Sequence, residues 1–177
     1  VAWGFPSIGL MRRLTRGMAP GAVAAAVVIL GLMLIPGVAP SASADVAARD
    51  ATESDLFVRS EQPSASEMER QFVAVWSPKI PFEAKVKASF NGEKAKPALR
   101  RLFTPSPTHD YLTLSGRVVG PVKFRDDRAS ARIAGVMVGV PASTYTYHYR
   151  RDDGLWKFDW KRTCQELKCL GDPDFGY

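Results

Sequence analysis

The residues with the most distinctive chemistry are the chain's two cysteines, Cys164 and Cys169, in the segment "WKRTCQELKCLG". Their C-x4-C spacing is not the C-x-x-C of thiol–disulfide oxidoreductases. Together with His109 and His148 they could supply four zinc ligands, but the histidine spacing matches no common zinc finger. In an oxidising compartment such a pair forms a structural disulfide. We therefore predict a Cys164–Cys169 bond, with a metal site and free or intermolecular thiols as the alternatives.

His148 is the second candidate, because a histidine beside a carboxylate can act as a general acid or base. A two-residue turn at Asp153 and Gly154 would place His148 opposite Asp159, whereas a four-residue loop would place it opposite Lys157. The same strand face carries further polar side chains, as a solvated face does: Thr144, Thr146, Arg150, Lys157 and Lys161. The chain has no G-x-S-x-G, glycine-rich phosphate loop or H-E-x-x-H motif. We therefore predict no catalytic residue, no metal ligand and no cofactor, and a protein that is not an enzyme.

An aromatic face is the third candidate. Its side chains alternate along two adjacent segments: Tyr145, Tyr147, Tyr149, Trp156, Phe158 and Trp160. The two-residue turn pairs Tyr149 with Phe158, the four-residue loop pairs Tyr149 with Trp156, and both registers stack aromatic rings across the strands. These rings could line a ligand cavity or form the core. The core is the default interpretation, because helices must cover an apolar surface.

The segment that precedes these candidates predicts export. Residues 11–44 contain arginines at the start, an apolar run from Gly21 to Ile35, and then Pro36 and small residues up to Ala44. This order is typical of a secretory signal with its start at Met11 and cleavage after Ala44. The apolar run has 15 residues, fewer than the ~18 of a spanning helix. We expect a secreted or cell-envelope protein, with a retained N-terminal membrane anchor as the alternative.

Charge is unevenly distributed along the chain. The net charge is +6, and removal of residues 1–44 with their three arginines leaves 21 basic and 18 acidic residues, a net charge of +3. Residues 45–65 carry five acidic and two basic residues without periodicity, which predicts a flexible acidic lead-in. Residues 66–177 carry +6. This charge serves solubility or favours an anionic envelope polymer, a lipid surface or another exported protein as partner, and export argues against nucleic acid.

Residues 66–177 are predicted to form a single α+β domain that begins with three helices. Ser66 and Glu69 fit a capping box ahead of a helix. One face of this helix is apolar, with Met68, Phe72, Val75 and Trp76. A second helix starts after Pro81, carries Phe82, Val86 and Phe90 at four-residue intervals, and is expected to stop at Asn91-Gly92. A third short helix is predicted from Pro97.

Strands follow from Tyr111, where the apolar period changes to two. The stretch "RASARIAGVMVGV" is interpreted as one strand that places Gly135 and Gly139 on the same face. Two glycines on one face indicate a sheet that bends or is closely approached by another group. Helices followed by antiparallel strands predict an α+β fold with N-terminal helices packed on a curved antiparallel sheet of about four strands.

Three stretches, "IPFEAKVKASFNG", "ASARIAGVMVGV" and "YTYHYRRDDGLWKFDWKRTCQEL", resemble the secreted low-molecular-weight antigen family of mycobacteria. That family's fold is similar to the cone-shaped nuclear-transport-factor-like fold. The resemblance covers roughly residues 66–168 and implies export and a non-enzymatic role. The cysteine pair and the tail "GDPDFGY" lie outside its pattern. We therefore expect an exported, non-catalytic binding or accessory module. The alternative is a small-ligand carrier, or a dehydratase- or isomerase-type enzyme, that uses the interior of the cone.

Overall fold

The structure is a computed structural model that describes residues 46–167 and 175–177. The predicted signal region, residues 1–44, lies outside the described residues. The helices are a 3-10 helix at Glu53–Leu56, α1 (Ala65–Trp76), α2 (Phe82–Lys87), α3 (Gly92–Leu102), a 3-10 helix at Tyr111–Thr113 and α4 (Trp160–Leu167). The strands are β1 (Ser115–Val118), β2 (Lys123–Arg125), β3 (Arg128–Met137), β4 (Val140–Asp152) and β5 (Leu155–Phe158). In the described part of the chain no helix has both the length and the apolar character that crossing a membrane requires.

All strand pairs are antiparallel, in the order β1-β3-β4-β5, with β2 paired to the far end of β3. The sheet curls into a half-barrel, and the predicted α+β class with helices on a curved sheet is confirmed. The inner face carries the buried residues of β3 and β4, among them Ala131, Ile133 and Tyr147. The α1 helix covers this face, since the Phe72 ring contacts Tyr147 at a centroid distance of 5.1 Å.

The first helix begins two residues earlier than the sequence predicted. The N-cap is Ser64, whose Oγ accepts from the Glu67 amide at 3.3 Å while the Glu67 carboxylate accepts from the Ser64 amide at 2.8 Å. Ser66 and Glu69 fit the same S-x-x-E pattern, so the pattern alone could not choose between them. Glu69 has another role, because its Oε1 accepts from the backbone N–H of Val118 at 2.7 Å.

The second and third helices also differ from their predicted bounds. The α2 helix ends at Lys87, before Phe90, because the backbone at Ala88 and Phe90 exchanges hydrogen bonds with Phe158 of β5. Asn91-Gly92 starts α3 and does not merely stop α2. A Cβ at Gly92 would lie 1.9 Å from a backbone oxygen, so only glycine fits the close approach there. The α3 helix therefore begins five residues before the predicted start at Pro97 and includes that proline.

Tight turns join β3 to β4 and β4 to β5. "RASARIAGVMVGV" is not one strand, because the chain turns at Val138-Gly139, where Gly139 has a φ of 82°, and returns as β4. The last hairpin adopts the two-residue register of the two alternatives: Tyr149 lies opposite Phe158, and Asp153 and Gly154 both have positive φ. This is the backbone conformation that a type I′ turn requires.

The segment predicted as a flexible lead-in, residues 45–65, packs against the domain from residue 46 onward. Leu56 and Ala48 are fully buried. Ala47 forms an antiparallel bridge with Ser115 of β1, and Val58 forms one with Trp156 of β5. The few apolar residues of this segment are enough to hold it against the domain, because each contacts the core. The acidic residues between them remain at the surface. The sequence predicted a flexible lead-in for residues 45–65, whereas the structure packs this segment from residue 46 onward against the domain.

Candidate functional site

The surroundings of His148 combine a strand position with the start of the last helix. Its backbone N–H donates to Thr163 Oγ1 of α4 at 3.0 Å, and its carbonyl accepts from the Asp159 amide at 2.8 Å. Asp159 thus lies opposite His148, as the two-residue register predicts. Its carboxylate, however, accepts from the Arg162 amide at 3.1 Å in the first turn of α4. A carboxylate at a helix N-terminus stabilises the helix, so the side chain of Asp159 is used as a cap.

The acid beside the imidazole is Glu166, which the sequence analysis did not single out. Glu166 Oε1 lies 2.8 Å from His148 Nε2, within ion-pair distance but without hydrogen-bond geometry. The His148 side chain is 9% exposed and that of Glu166 is 49% exposed. The pair therefore lies where α4 meets β4, with its acid at the solvent boundary.

A helical period could have suggested Glu166 as a neighbour of Thr163. The two are three residues apart, and residues three apart share a helix face. The missing information was that α4 starts at Trp160 and lies against the edge of β4. The sequence predicted Trp160 at the end of a strand. The helix face of α4 that points at His148 could therefore not be assigned from the sequence.

The aromatic face of the last hairpin is core. Five of its six side chains are buried: Tyr147, Tyr149, Trp156, Phe158 and Trp160. Their rings contact one another, with Phe158 and Trp160 stacked at 4.8 Å between centroids. Trp160 also contacts Trp76 of α1 at 5.8 Å and Phe103 at 5.4 Å. The half-barrel is thus filled by rings from the sheet and the helices at this end.

Cys164 lies on α4 and is 7% exposed. Its predicted partner, Cys169, lies outside the described residues, so the disulfide stays a prediction. His109 is only half-buried and contacts the Tyr111 ring at a centroid distance of 6.0 Å. Among residues 46–167 and 175–177 no three His, Cys, Asp or Glu side chains lie close enough together to hold a metal ion.

Lys85 is a buried amine that the sequence analysis missed. The residue is 5% exposed, and its Nζ lies 5.2 Å from the centroid of the Phe103 ring. Burial lowers the pKa of its ammonium group to about 8. A signal was present, because Lys85 follows Phe82 by three residues and so borders the apolar stripe of α2. An aromatic ring under the ammonium group partly replaces the lost hydration.

Comparisons with known proteins identify one family. The model of the low molecular weight antigen MTB12, C-terminal domain, matches residues 61–174. No curated protein and no solved structure matches the chain. The antigen resemblance seen in the sequence is therefore confirmed, whereas the likeness to the nuclear-transport-factor-like fold stays a prediction.

Proposed function

Because the chain belongs to the family of the low molecular weight antigen MTB12, C-terminal domain, a family of mycobacterial antigens, we propose that it is an exported, non-catalytic protein that acts as a binding or accessory module of the cell envelope. The match covers most of the α+β domain. Export is supported further by residues 11–44, whose basic start, apolar run and small residues before Asp45 have the order of a secretory signal.

The observation that carries the non-catalytic part of the proposal is the filled interior of the half-barrel. An enzyme that used this interior would need a cavity with an acid and a base within reach of a substrate. The inward-facing side chains of the last hairpin are instead aromatic and pack on one another, as with Tyr149 against Phe158 at 4.8 Å. The histidine lies on the opposite face of β4, where α4 buries it. This supports a role carried out by the surface.

Export can be tested by cell fractionation and mass spectrometry. Mycobacterial cells expressing the full chain are expected to release a form that begins at Asp45, or to hold that form in the envelope. Replacement of Arg12, Arg13 and Arg16 by glutamate should keep the protein in the cytoplasm, because the positive start of a signal is lost. A protein found only in the cytoplasm, or one outside the cell with an intact Met11 start, would contradict the proposal.

The binding role can be tested by crosslinking and capture from envelope extract. His148→Ala is the informative variant, with Thr144→Ala as a matched change at an exposed position of the same strand face. Both variants should capture the same envelope components as the parent protein. Two outcomes would contradict the proposal and assign the function to the histidine. In the first, a folded His148→Ala protein no longer captures the envelope components. In the second, it no longer converts a component that the parent protein converts.

A further inference from the structure

The strands β1, β2 and β3, and β4 up to Arg151, come from two stretches without acidic residues. Residues 111–125 and 128–151 contain seven basic residues and no Asp or Glu. The only acids between them are Asp126 and Asp127, in the turn that joins β2 to β3. Sheet surfaces normally mix both signs of charge, so this separation leaves one part of the molecule strongly positive.

The strand register collects the positive side chains on the outer face, which is the side of the sheet away from α1. Lys123 lies opposite Ser130, and Arg132 lies opposite Thr146, all on the face that alternates with the buried Ala131 and Ile133. Arg125 is two residues from Lys123 and points to the same side. We name the exposed trio Lys123, Arg125 and Arg132 the basic face.

The acidic residues in the described part of the chain do not pair with the basic face. Asp127 lies 2.5 Å from Arg150 and 3.9 Å from Arg128, at the turn end of β3. In the part of the chain that the structure describes, no acidic side chain lies within ion-pair distance of Lys123, Arg125 or Arg132. Neighbouring strands are ~5 Å apart and alternate residues on a strand ~7 Å apart, so the three cations span roughly 15 Å of the outer face, with Lys123 between Arg125 and Arg132.

Exposed apolar side chains border these cations. Val119, Val136 and Val138 are 42%, 53% and 68% exposed. Val136 lies opposite Ser115 on the outer face, and the Val119 amide donates to the Arg132 carbonyl. Val138 stands in the turn at the end of the same strand. Val119 thus lies beside Arg132, whereas Val136 and Val138 lie four and six residues beyond it along the chain, and we name the three exposed side chains the valine rim.

We propose that the part of the outer face that α4 leaves uncovered docks onto a lipid surface with anionic headgroups, the cations contacting the headgroups and the valine rim entering the interfacial region. Positive charge alone would fit any polyanion, but a soluble polymer gives the exposed valines nothing to bury against. A bilayer interface takes both kinds of group at once. The inference rests on the proposed envelope location, because only an exported protein meets the outer lipid surface.

Vesicle sedimentation tests the docking surface. The protein, in the form that expressing cells yield, is mixed with vesicles of phosphatidylcholine alone or with phosphatidylglycerol at 40%. We expect binding to the anionic vesicles only, and its loss at high salt. The triple variant Lys123→Gln, Arg125→Gln, Arg132→Gln should bind about a hundredfold more weakly, since each basic residue at a membrane surface contributes about fivefold.

The matched control removes the same charge elsewhere. Arg59→Gln, Lys87→Gln, Lys94→Gln replaces three exposed cations that lie outside the strands, before α1, in α2 and in α3, and should weaken binding less than tenfold. Circular dichroism checks that both triples are folded. Equal loss in the two triples would overturn the proposal, because it would show a response to net charge alone.

The valine rim separates a bilayer from a soluble polyanion. Val136→Ser with Val138→Ser should weaken vesicle binding several-fold and leave binding to soluble polyphosphate unchanged. Undiminished vesicle binding by this variant would overturn the bilayer assignment in favour of a polyanion. Failure of all vesicle binding, with the protein still recovered outside the cytoplasm, would overturn docking to lipid but not the proposed function.

Discussion

At the scale of single residues, the contact between α1 and the sheet depends on two glycines that face each other across β1 and β3. Gly116 lies opposite Gly135, and the ring of Phe72 rests on both. A Cβ at Gly116 would lie 2.3 Å from Phe72 Cδ1, whereas one at Gly135 would lie 3.6 Å from Phe72 Cζ. The sequence predicted a closely approached sheet from Gly135 and Gly139. The Phe72 ring contacts Gly135 only at an ordinary distance and nothing lies within 4 Å of a Cβ at Gly139, so the close approach is at Gly116.

We expect Gly116→Ala to lower the free energy of unfolding by about 1–3 kcal/mol, because the buried Phe72 ring must shift to admit the methyl group. Gly135→Ala is the matched control and should cost less than ~1 kcal/mol, since its methyl group would make an ordinary contact. Urea denaturation measures both. Equal costs for the two substitutions would show that Phe72 can move freely, and the argument from close approach would then fail.

The buried Lys85 makes the free energy of unfolding depend on pH. Its pKa is about 8 in the folded protein and ~10.5 when unfolded, so between these values the unfolded chain binds more protons. The destabilisation from the buried charge is therefore fully present below pH 8 and disappears as the pH rises towards 10.5. Its upper bound is about 3 kcal/mol, and the contact with the Phe103 ring offsets part of the charged group's lost hydration.

Lys85→Met should consequently raise the free energy of unfolding at pH 7 and raise it less at pH 9.5. Lys87→Met, at an exposed position on the same helix, should change neither value by more than ~0.5 kcal/mol. The measurement is urea denaturation of both variants and the parent at the two pH values. A gain of the same size at both pH values would mean that added apolar contact, and not the removed charge, stabilises the variant.

At the scale of elements, the start of α1 shows how a local pattern is resolved by tertiary contacts. Two S-x-x-E sequences overlap, and Ser64 is used because Glu69 is held by the amide of Val118 in β1. The helix start is therefore fixed together with its docking on the sheet. A single-sequence pattern has no access to that second requirement.

Ser64→Ala should lower the free energy of unfolding by about 1 kcal/mol, because the amide of Glu67 loses its acceptor. Ser66→Ala, at the cap that the sequence favoured, should cost less than ~0.5 kcal/mol, since Ser66 lies within the first turn and its hydroxyl only accepts from Arg70. Thermal melting compares the two directly. The reverse order of stabilities would return the N-cap to Ser66.

The last helix carries the predicted disulfide. Five residues of regular helix rise ~7.5 Å, more than the ~4.4–6.8 Å that a disulfide allows between Cα atoms, so a Cys164–Cys169 bond requires the helix to end between them. The structure describes α4 from Trp160 to Leu167, and residues 168–174 with Cys169 lie outside the described residues, so this break in the helix stays a prediction. Replacement of both cysteines by serine should lower the melting temperature modestly. The free energy of unfolding should fall by at most about 2–3 kcal/mol, because the closed loop is short.

Thiol titration supplies the direct measurement of the disulfide. Denatured, unreduced protein from the culture medium should show no free thiol and should run as a monomer without reductant. Two titratable thiols, or a dimer that reductant dissolves, would contradict an intramolecular bond.

Periodicity was sufficient for some elements and insufficient for others. It identified the apolar face of α1 and limited the last hairpin to two registers, of which the structure adopts the two-residue turn at Asp153-Gly154. It failed at Val138-Gly139, where valines continue the strand pattern across a turn. It also failed for the His148 pair, because Glu166 becomes its neighbour only when α4 packs on β4. Contacts between distant segments decide such cases. Such contacts produce no regular residue spacing in the sequence from which they could be predicted.

At the scale of the whole molecule, residues 46–58 connect β1 and β5, the first and last strands in the order β1-β3-β4-β5. Ala47 pairs with Ser115 on β1, and Val58 pairs with Trp156 on β5. Between these points the Gln71 side chain of α1 donates to the carbonyls of Leu56 and Trp156, at 2.9 Å and 2.6 Å. The segment thus belongs to the folded unit although it precedes the family match at residue 61.

Leu56 is the residue that best tests whether this segment stabilises the domain, because it is fully buried within an otherwise acidic stretch. Leu56→Ala should lower the free energy of unfolding by about 2–5 kcal/mol, as for other large-to-small changes at closed core sites. Glu53→Ala, at an exposed position of the same 3-10 helix, should change it by less than ~0.5 kcal/mol. A flexible lead-in would make both substitutions neutral in urea denaturation. A large effect confined to Leu56 would instead show that the acidic segment joins β1 to β5 as part of one cooperative unit, so that removing it from an expressed domain should lower its stability.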